Sequence, residues 1–220
     1  LAGTPTPVWD RATRLVHWSL APLILFLWWT AQTSVDKMDW HRWAGDAVLG
    51  LLVFRLAWGV LGGSTARFSH FVKGPGSALA YLKGLFGKKA GPTIGHNPLG
   101  GWSVVALILT LLAVVAFGLF AEDVDGIESG PLARFVDFDT GRMAAKLHHT
   151  AFNVLLWLIG LHLLAIAFYA VFKRENLVGP MVTGRRKLPD GAERLRPAAA
   201  WRLVLSLLLA AGAVVLAARG

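Results

Sequence analysis

Five apolar runs, at 15–30, 43–61, 99–120, 147–172 and 199–218, constrain this 220-residue chain more than anything else in it. About 20 consecutive apolar residues are what a helix needs to cross the hydrocarbon core of a bilayer. Inside that core every backbone N–H and C=O must find a partner within its own segment, so the runs predict five transmembrane α-helices. The first run is broken only by His17, Ser19 and Pro22, and it extends a turn or two toward the N-terminus. Arg11 and Arg14 before it resemble the start of a secretory signal. The run is long for that role and no small-residue cleavage pattern follows, so it is read as a spanning helix. Loop-forming clusters separate the runs, among them Gly62-Gly63-Ser64 and Lys73-Gly74-Pro75-Gly76. Asn97-Pro98 supplies an N-cap and a first-turn proline for the third. Charged residues make up 16% of the chain and hydrophobic ones 55%, which excludes disorder and an ordinary soluble domain. The absence of cysteine removes disulfides, thiolate zinc sites, iron–sulfur clusters and covalently attached haem together.

A net charge of +9 could mark a nucleic-acid binder, but its distribution argues otherwise. With the N-terminus in the cytoplasm, 15 of the 22 Lys and Arg fall on the inner side and 6 outside, and Arg55 lies within a span. This count includes Lys88 and Lys89 in the loop before the third run. The basic surplus therefore follows topology, and no nucleic-acid partner is expected. Trp9, Trp18, Trp28, Trp29, Trp40, Trp43, Trp58, Trp102 and Trp201 fall near span ends and read as interfacial anchors, whereas Trp157 is mid-span and reads as packing.

The seven histidines carry most of the chemical information. His148 and His162 are 14 residues apart on the fourth run, so they share a helix face and differ in depth by about 21 Å. His17 on the first run lies at the inner depth, and His41 at the start of the second lies at the outer depth. The chain thus offers two cross-helix pairs, His17/His162 inside and His41/His148 outside. Imidazoles within an apolar span need partners for their nitrogens, and they either bond to a neighbouring helix or ligate. Two neutral imidazoles on opposite sides of a planar macrocycle are the ligands of a low-spin haem b, and zinc would want further ligands. Gly45 and Gly160 could let such a ring approach the backbone, or simply help helices pack. Arg55 lies on the His41 face about 21 Å deeper, where it would either pair with a haem propionate or extend to the inner headgroups. His70, His96 and His149 read as loop or interfacial residues.

Several stretches then carry a family resemblance. Residues 8–18 (VWDRATRLVHW), His41-Arg42-Trp43-Ala44-Gly45, Arg55-Leu56-Ala57-Trp58-Gly59, residues 95–102 (GHNPLGGW) and residues 175–184 (ENLVGPMVTG) together resemble bacterial cytochrome b561 proteins and the related b subunits of nickel–iron hydrogenases. The resemblance covers about residues 8–187. It implies an all-α integral membrane protein whose four-helix bundle, residues 1–187, binds two b haems through His17, His41, His148 and His162. Residues 188–220 would add a cytoplasmic linker and a fifth, C-terminal transmembrane helix.

Such proteins move electrons between the quinone pool, ubiquinone or menaquinone, and a redox partner at the outer face. The expected setting is the bacterial inner membrane, with the N-terminus cytoplasmic and the C-terminus periplasmic. The outer loop carries Glu122, Asp123, Asp125, Glu128, Asp137 and Asp139 against Arg134, Arg142 and Lys146, a charge suited to a basic patch on a c-type cytochrome. It equally fits an ordinary solvated acidic loop. A superoxide oxidase passing electrons to ubiquinone is a second reading, disfavoured because an acidic face repels that anion. A b subunit of a hydrogenase or formate dehydrogenase is a third, and a transporter or membrane anchor without redox chemistry is the alternative from another class. Arg14, His70, His96 and Arg174 are inner-side candidates for quinone contact. Any enzymatic activity would be that of a quinone oxidoreductase, and a homodimer is compatible with the sequence.

Overall fold

The computed structural model describes residues 3–33, 37–85, 95–189 and 194–219, so Lys88 and Lys89 lie outside the described residues. In chain order the elements are strand β1 (Thr4–Pro7), helices α1 (Arg11–Thr33), α2 (Met38–Leu61), α3 (Phe68–Phe71), α4 (Pro75–Lys83), α5 (Pro98–Phe120), α6 (Phe138–Val171) and α7 (Val178–Thr183), strand β2 (Arg185–Leu188) and helix α8 (Ala200–Ala218). The five helices α1, α2, α5, α6 and α8 are long and apolar enough to cross a membrane. They coincide with the five apolar runs. α1 starts about a turn before its run, at Arg11, as expected, and two others start well before theirs: α2 at Met38 and α6 at Phe138. Capping chemistry explains the α6 extension, since Asp137 accepts from the Thr140 amide at 2.9 Å and from its hydroxyl at 2.8 Å. Asn97 caps α5 in the same way, accepting from the Gly100 amide at 2.7 Å. Pro75 and Gly76, read from sequence as loop, instead open α4, because proline suits the first helical turn.

α2 is the hub of the bundle. Of its apolar span 39% is buried, against 11% for α1, α5 and α6. One face packs Val48 and Leu52 against Leu111 and Val114 of α5 and Leu155 of α6. Another joins Phe54 and Trp58 to Val16 of α1 and Ala210 of α8. The approach of α8 is close because its buried seam uses small side chains, Ser206, Ala210 and Ala217, and because a Cβ on Gly50 would lie 3.1 Å from Val214. The segment leading into α8 is stitched down as well. Ser64 donates its amide to Arg196 O at 3.0 Å and accepts the Arg196 amide on its hydroxyl at 3.0 Å. At the other end Arg134 donates to the Arg219 carbonyl at 3.1 Å.

The two ends of the bundle differ in construction. At the end where α1, α5 and α8 begin, called here the basic end, β1 pairs antiparallel with β2 in the register Thr4↔Leu188 to Pro7↔Arg185. This small sheet was not expected from the sequence, where prolines at 5 and 7 argue against a strand. Gly184, at φ +79°, turns the chain so that its carbonyl accepts the amides of Val8 and Trp9 at 2.8 and 3.2 Å. Arg14 donates to Val182 O, and Trp18 donates to Met181 O at 3.2 Å. The strap thereby ties α1 to the chain that leaves α6. At the opposite, acidic end, Arg42 of α2 is paired with both Asp39 and Glu128.

Two tryptophan readings need correction. Trp58 is no interfacial anchor: it is buried and donates to Asp10 at 3.1 Å. Trp157 is not packed within the chain but is 82% exposed on the apolar surface of α6.

Two outcomes follow from this packing. Gly50→Leu should lower the thermal midpoint of the detergent-purified protein by several degrees, since overpacking costs about 1–3 kcal/mol. Gly212→Leu, at a position where a Cβ meets nothing within 4 Å, should leave the midpoint unchanged. The Thr140 amide and hydroxyl hold the Asp137 carboxyl below its ordinary value of 3.8. A depressed folded-state pKa means that the cap stabilises above pH 4 and is lost as pH falls through the folded value. The midpoint difference between wild type and Asp137→Ala should accordingly vanish in acid, while Asp137→Asn should keep the cap at every pH.

Candidate functional site

α6 presents His148 and His162 on one face, and each meets a histidine from a different helix. The ring centroids of His17 on α1 and His162 are 6.4 Å apart, and those of His41 on α2 and His148 are 6.2 Å apart. Two imidazoles bonded to one metal ion from opposite sides place their centroids about 6.3 Å apart, given metal–nitrogen bonds of about 2 Å. Both pairs have the spacing that the donor set requires. Each site offers a pair of imidazoles, and among the described residues no cluster of three or more His, Asp or Glu that could hold a metal ion is found.

The pair at the acidic end is oriented by hydrogen bonds. His41 Nδ1 lies 3.1 Å from the Leu27 carbonyl and 3.0 Å from the Thr30 hydroxyl, which itself donates to Leu27 O at 3.0 Å. His148 Nδ1 lies 2.8 Å from the Val114 carbonyl. A carbonyl can only accept, so both rings carry their proton on Nδ1 and leave the Nε2 lone pair free. Gly118 makes room for this arrangement, because a Cβ there would lie 2.9 Å from His148 Nδ1. Beside the pair is an apolar space bordered by Ile24, Leu27, Leu111, Val114, Phe152 and Leu155. Such a lining suits the flat apolar body of an organic cofactor. A Cβ on Gly45 or Gly160 would meet nothing within 4 Å, so there is open space beside both glycines. His149 borders the same space, with its ring 5.9 Å from that of His148. Adjacent residues on one helix diverge by about 100°, so these two rings cannot oppose each other across a flat group.

The pair at the basic end has a different setting. His17 Nδ1 is buried without a hydrogen-bond partner among the described residues. Arg55 is 6% exposed and stays inside the protein rather than extending to a membrane surface. Its guanidinium donates to the Ala66 carbonyl at 3.4 Å and lies 5.0 Å from the Phe68 ring. No carboxylate among the described residues pairs with it. A buried arginine on a spanning helix costs about 3 kcal/mol or more when left without a counter-charge, so its environment suits an anionic group brought in by a ligand.

His96 is the residue that sequence reasoning undervalued. Expected as a loop histidine, it is packed between Trp9 and Phe71 with ring centroids 4.7 Å from each, and its Nδ1 is buried without a partner among the described residues. Burial, followed by the neighbouring Arg55, His162 and His17, pushes its pKa down to about 3 and keeps it neutral. The only local signal was its place just before the Asn97 cap of α5, which fixes the loop against the bundle. Of the other inner-side candidates, Arg14 is bonded to α7, and Arg174 occupies the turn after α6 at φ +55°. His70 ends α3.

No curated protein and no solved structure matches the chain. A family model described as prokaryotic cytochrome b561 matches residues 8–184, from the segment entering α1 to the end of the strap at Gly184. The match takes in all four helices that carry or flank the two histidine pairs. The chain therefore belongs to the prokaryotic cytochrome b561 family, membrane b-type cytochromes of electron transfer.

Proposed function

We propose that this chain carries electrons across the bacterial inner membrane between a redox protein at the acidic end and quinone at the basic end, through two b haems. The observation that carries the reading is the pair of imidazole couples, 6.4 and 6.2 Å between centroids, at two levels of one bundle. His17 and His162 would hold one haem and His41 and His148 the other. When bound, each haem would supply a one-electron carrier. The residues do the rest. Leu27, Thr30 and Val114 fix the tautomer and direction of the acidic-end imidazoles, and the apolar wall excludes water. Arg55 would take a propionate of the basic-end haem, which offsets the burial of both charges. The positions of Lys and Arg support a cytoplasmic basic end and a periplasmic acidic end, with the C-terminus outside.

Separate features support the partner. At the acidic end Glu128 is committed to Arg42, Asp123 accepts from the Ile127 amide, and Asp137 caps α6. Asp125 and Asp139 are exposed there, beside the exposed apolar side chains of Val124, Ile127 and Phe135. A mixed acidic and apolar surface of this kind suits brief docking of a basic c-type cytochrome. Quinone, either ubiquinone or menaquinone, would bind near the other pair, where His96 Nδ1 and Arg14 Nε are buried without hydrogen-bond partners among the described residues.

Pyridine haemochrome analysis of the purified protein should give two b haems per chain. One or none would overturn the reading, and none would leave a transporter or anchor. His148→Ala should lose one haem, whereas His149→Ala should keep both. Asp125→Asn with Asp139→Asn should slow electron exchange with a basic cytochrome c several-fold at low salt and have no effect at high salt. An unchanged rate at low salt would remove this docking surface.

A further inference from the structure

We propose that Arg67 and Arg202 together bind the phosphate of an anionic phospholipid at the junction where α2 ends and α8 begins. The inference is independent of the haem reading. Half of the site lies on α8, beyond the residues that the family model matches.

Two guanidinium groups are held at neighbouring carbonyls. Arg67 donates from Nε to the Gly62 carbonyl at 2.9 Å, and Arg202 donates from Nη1 to the Leu61 carbonyl at 3.4 Å. Leu61 and Gly62 are the last residue of α2 and its C-cap. The two side chains arrive from different elements, Arg67 from the residue before α3 and Arg202 from the first turn of α8. Their junction is fixed, because Ser64 bonds the main chain of Arg196 through both its amide and its hydroxyl. Arg196 is exposed and adds a third cation to this end.

The local charge does not balance. A helix C-terminus carries about half a negative charge, which offsets only part of two full positive ones. Among the described residues no carboxylate pairs with Arg67 or Arg202. The acid at this junction is Asp10, whose Oδ2 lies 3.4 Å from where a Cβ on Gly63 would be. Its two oxygens are taken by the Thr13 amide at 2.7 Å and the Trp58 indole at 3.1 Å. A guanidinium has five N–H donors in a planar fork, so both arginines keep donors for an outside acceptor, and that fork matches phosphate oxygens. α8 adds to the surplus, since it opens on Ala199 with no side-chain cap and no acid in its first turn.

Position identifies the source of the phosphate. One spanning helix ends here and another begins, so the junction lies at the edge of the apolar zone. Val60, Trp201, Leu203 and Val204, next to the anchor points in the chain, are exposed apolar side chains. The Arg202 guanidinium lies 5.3 Å from the Trp201 ring, an arrangement suited to a membrane surface. A phospholipid meets both demands, with its headgroup on the arginines and its acyl chains along the apolar side chains. Basic pockets between spanning helices take anionic headgroups in this way. The positive surplus selects a lipid of net negative charge and repels the cation of a zwitterionic headgroup.

Delipidated protein in detergent tests the site when titrated with phosphatidylglycerol or with phosphatidylcholine of the same acyl chains. The thermal midpoint and the bound lipid counted by native mass spectrometry are the two readouts. Phosphatidylglycerol should raise the midpoint by several degrees and stay bound, and phosphatidylcholine should need about tenfold more lipid for the same rise. Arg67→Gln and Arg202→Gln should each weaken phosphatidylglycerol several-fold, and together they should remove the preference. Arg11→Gln, which deletes an exposed charge at the same end, should keep it. Equal responses of the wild type to the two lipids would overturn the proposal, as would a preference unchanged in both single variants. Inorganic phosphate giving the same rise at the same concentration would make the ligand a free anion and overturn its assignment to lipid. The wild-type comparison and the single variants decide the outcome even where the double variant fails to fold.

Discussion

Imidazole nitrogens cannot be left idle in an apolar span, and the architecture follows from how each is used. At the acidic end the Nδ1 atoms of His41 and His148 are bonded to the carbonyls of Leu27 and Val114. These carbonyls sit on α1 and α5, the helices next to the ones that carry the histidines. Each bond thus does two jobs, satisfying a buried donor and fixing the distance between neighbouring helices. Gly118 is part of the same geometry, since the His148 ring occupies the place where its side chain would be. At the basic end His17 Nδ1, His96 Nδ1 and Arg14 Nε are buried without hydrogen-bond partners among the described residues. In the proposed function that end is completed by ligand groups.

α8 has a mechanical part in this arrangement. It lies outside the matched family region, yet it packs along α2, the helix that holds His41 and Arg55. Its seam of Ser206, Ala210 and Ala217 gives α2 a further protein neighbour beyond α1, α5 and α6. The bond from Arg134 to Arg219 O then fastens the far end of α8 to the acidic loop. The helix behaves as a brace for α2 rather than as a separate anchor.

The spans and the histidine pairing were legible in the sequence because both rest on periodicity. Twenty apolar residues dictate a spanning helix, and a 14-residue spacing returns His148 and His162 to one face. What remained hidden depends on tertiary contact. The β1–β2 sheet joins residues at opposite ends of the family region, and its first strand contains two prolines that local rules discourage. Trp58 looks like any other tryptophan near a span end until Asp10 is found beside its indole nitrogen. Trp157 looks like core because it is central in its helix, although depth in a membrane says nothing about which side faces protein. His96 belongs to the same class: its burial comes from Trp9 and Phe71, which approach from distant parts of the chain.

The sheet has a consequence for synthesis. β1 is made before α1, but its partner begins only at Arg185, after α6 is complete. Until residues 181–188 are made, none of the bonds that tie α1 to the chain leaving α6 can form, and the gap between His17 and His162 stays open like a clasp without its catch. The acidic-end site has all its ring-bearing helices and both Nδ1 acceptors once α6 is in place. A bulky flat cofactor could therefore be received at the acidic end first, with the basic end closing over its own only when β2 is laid down.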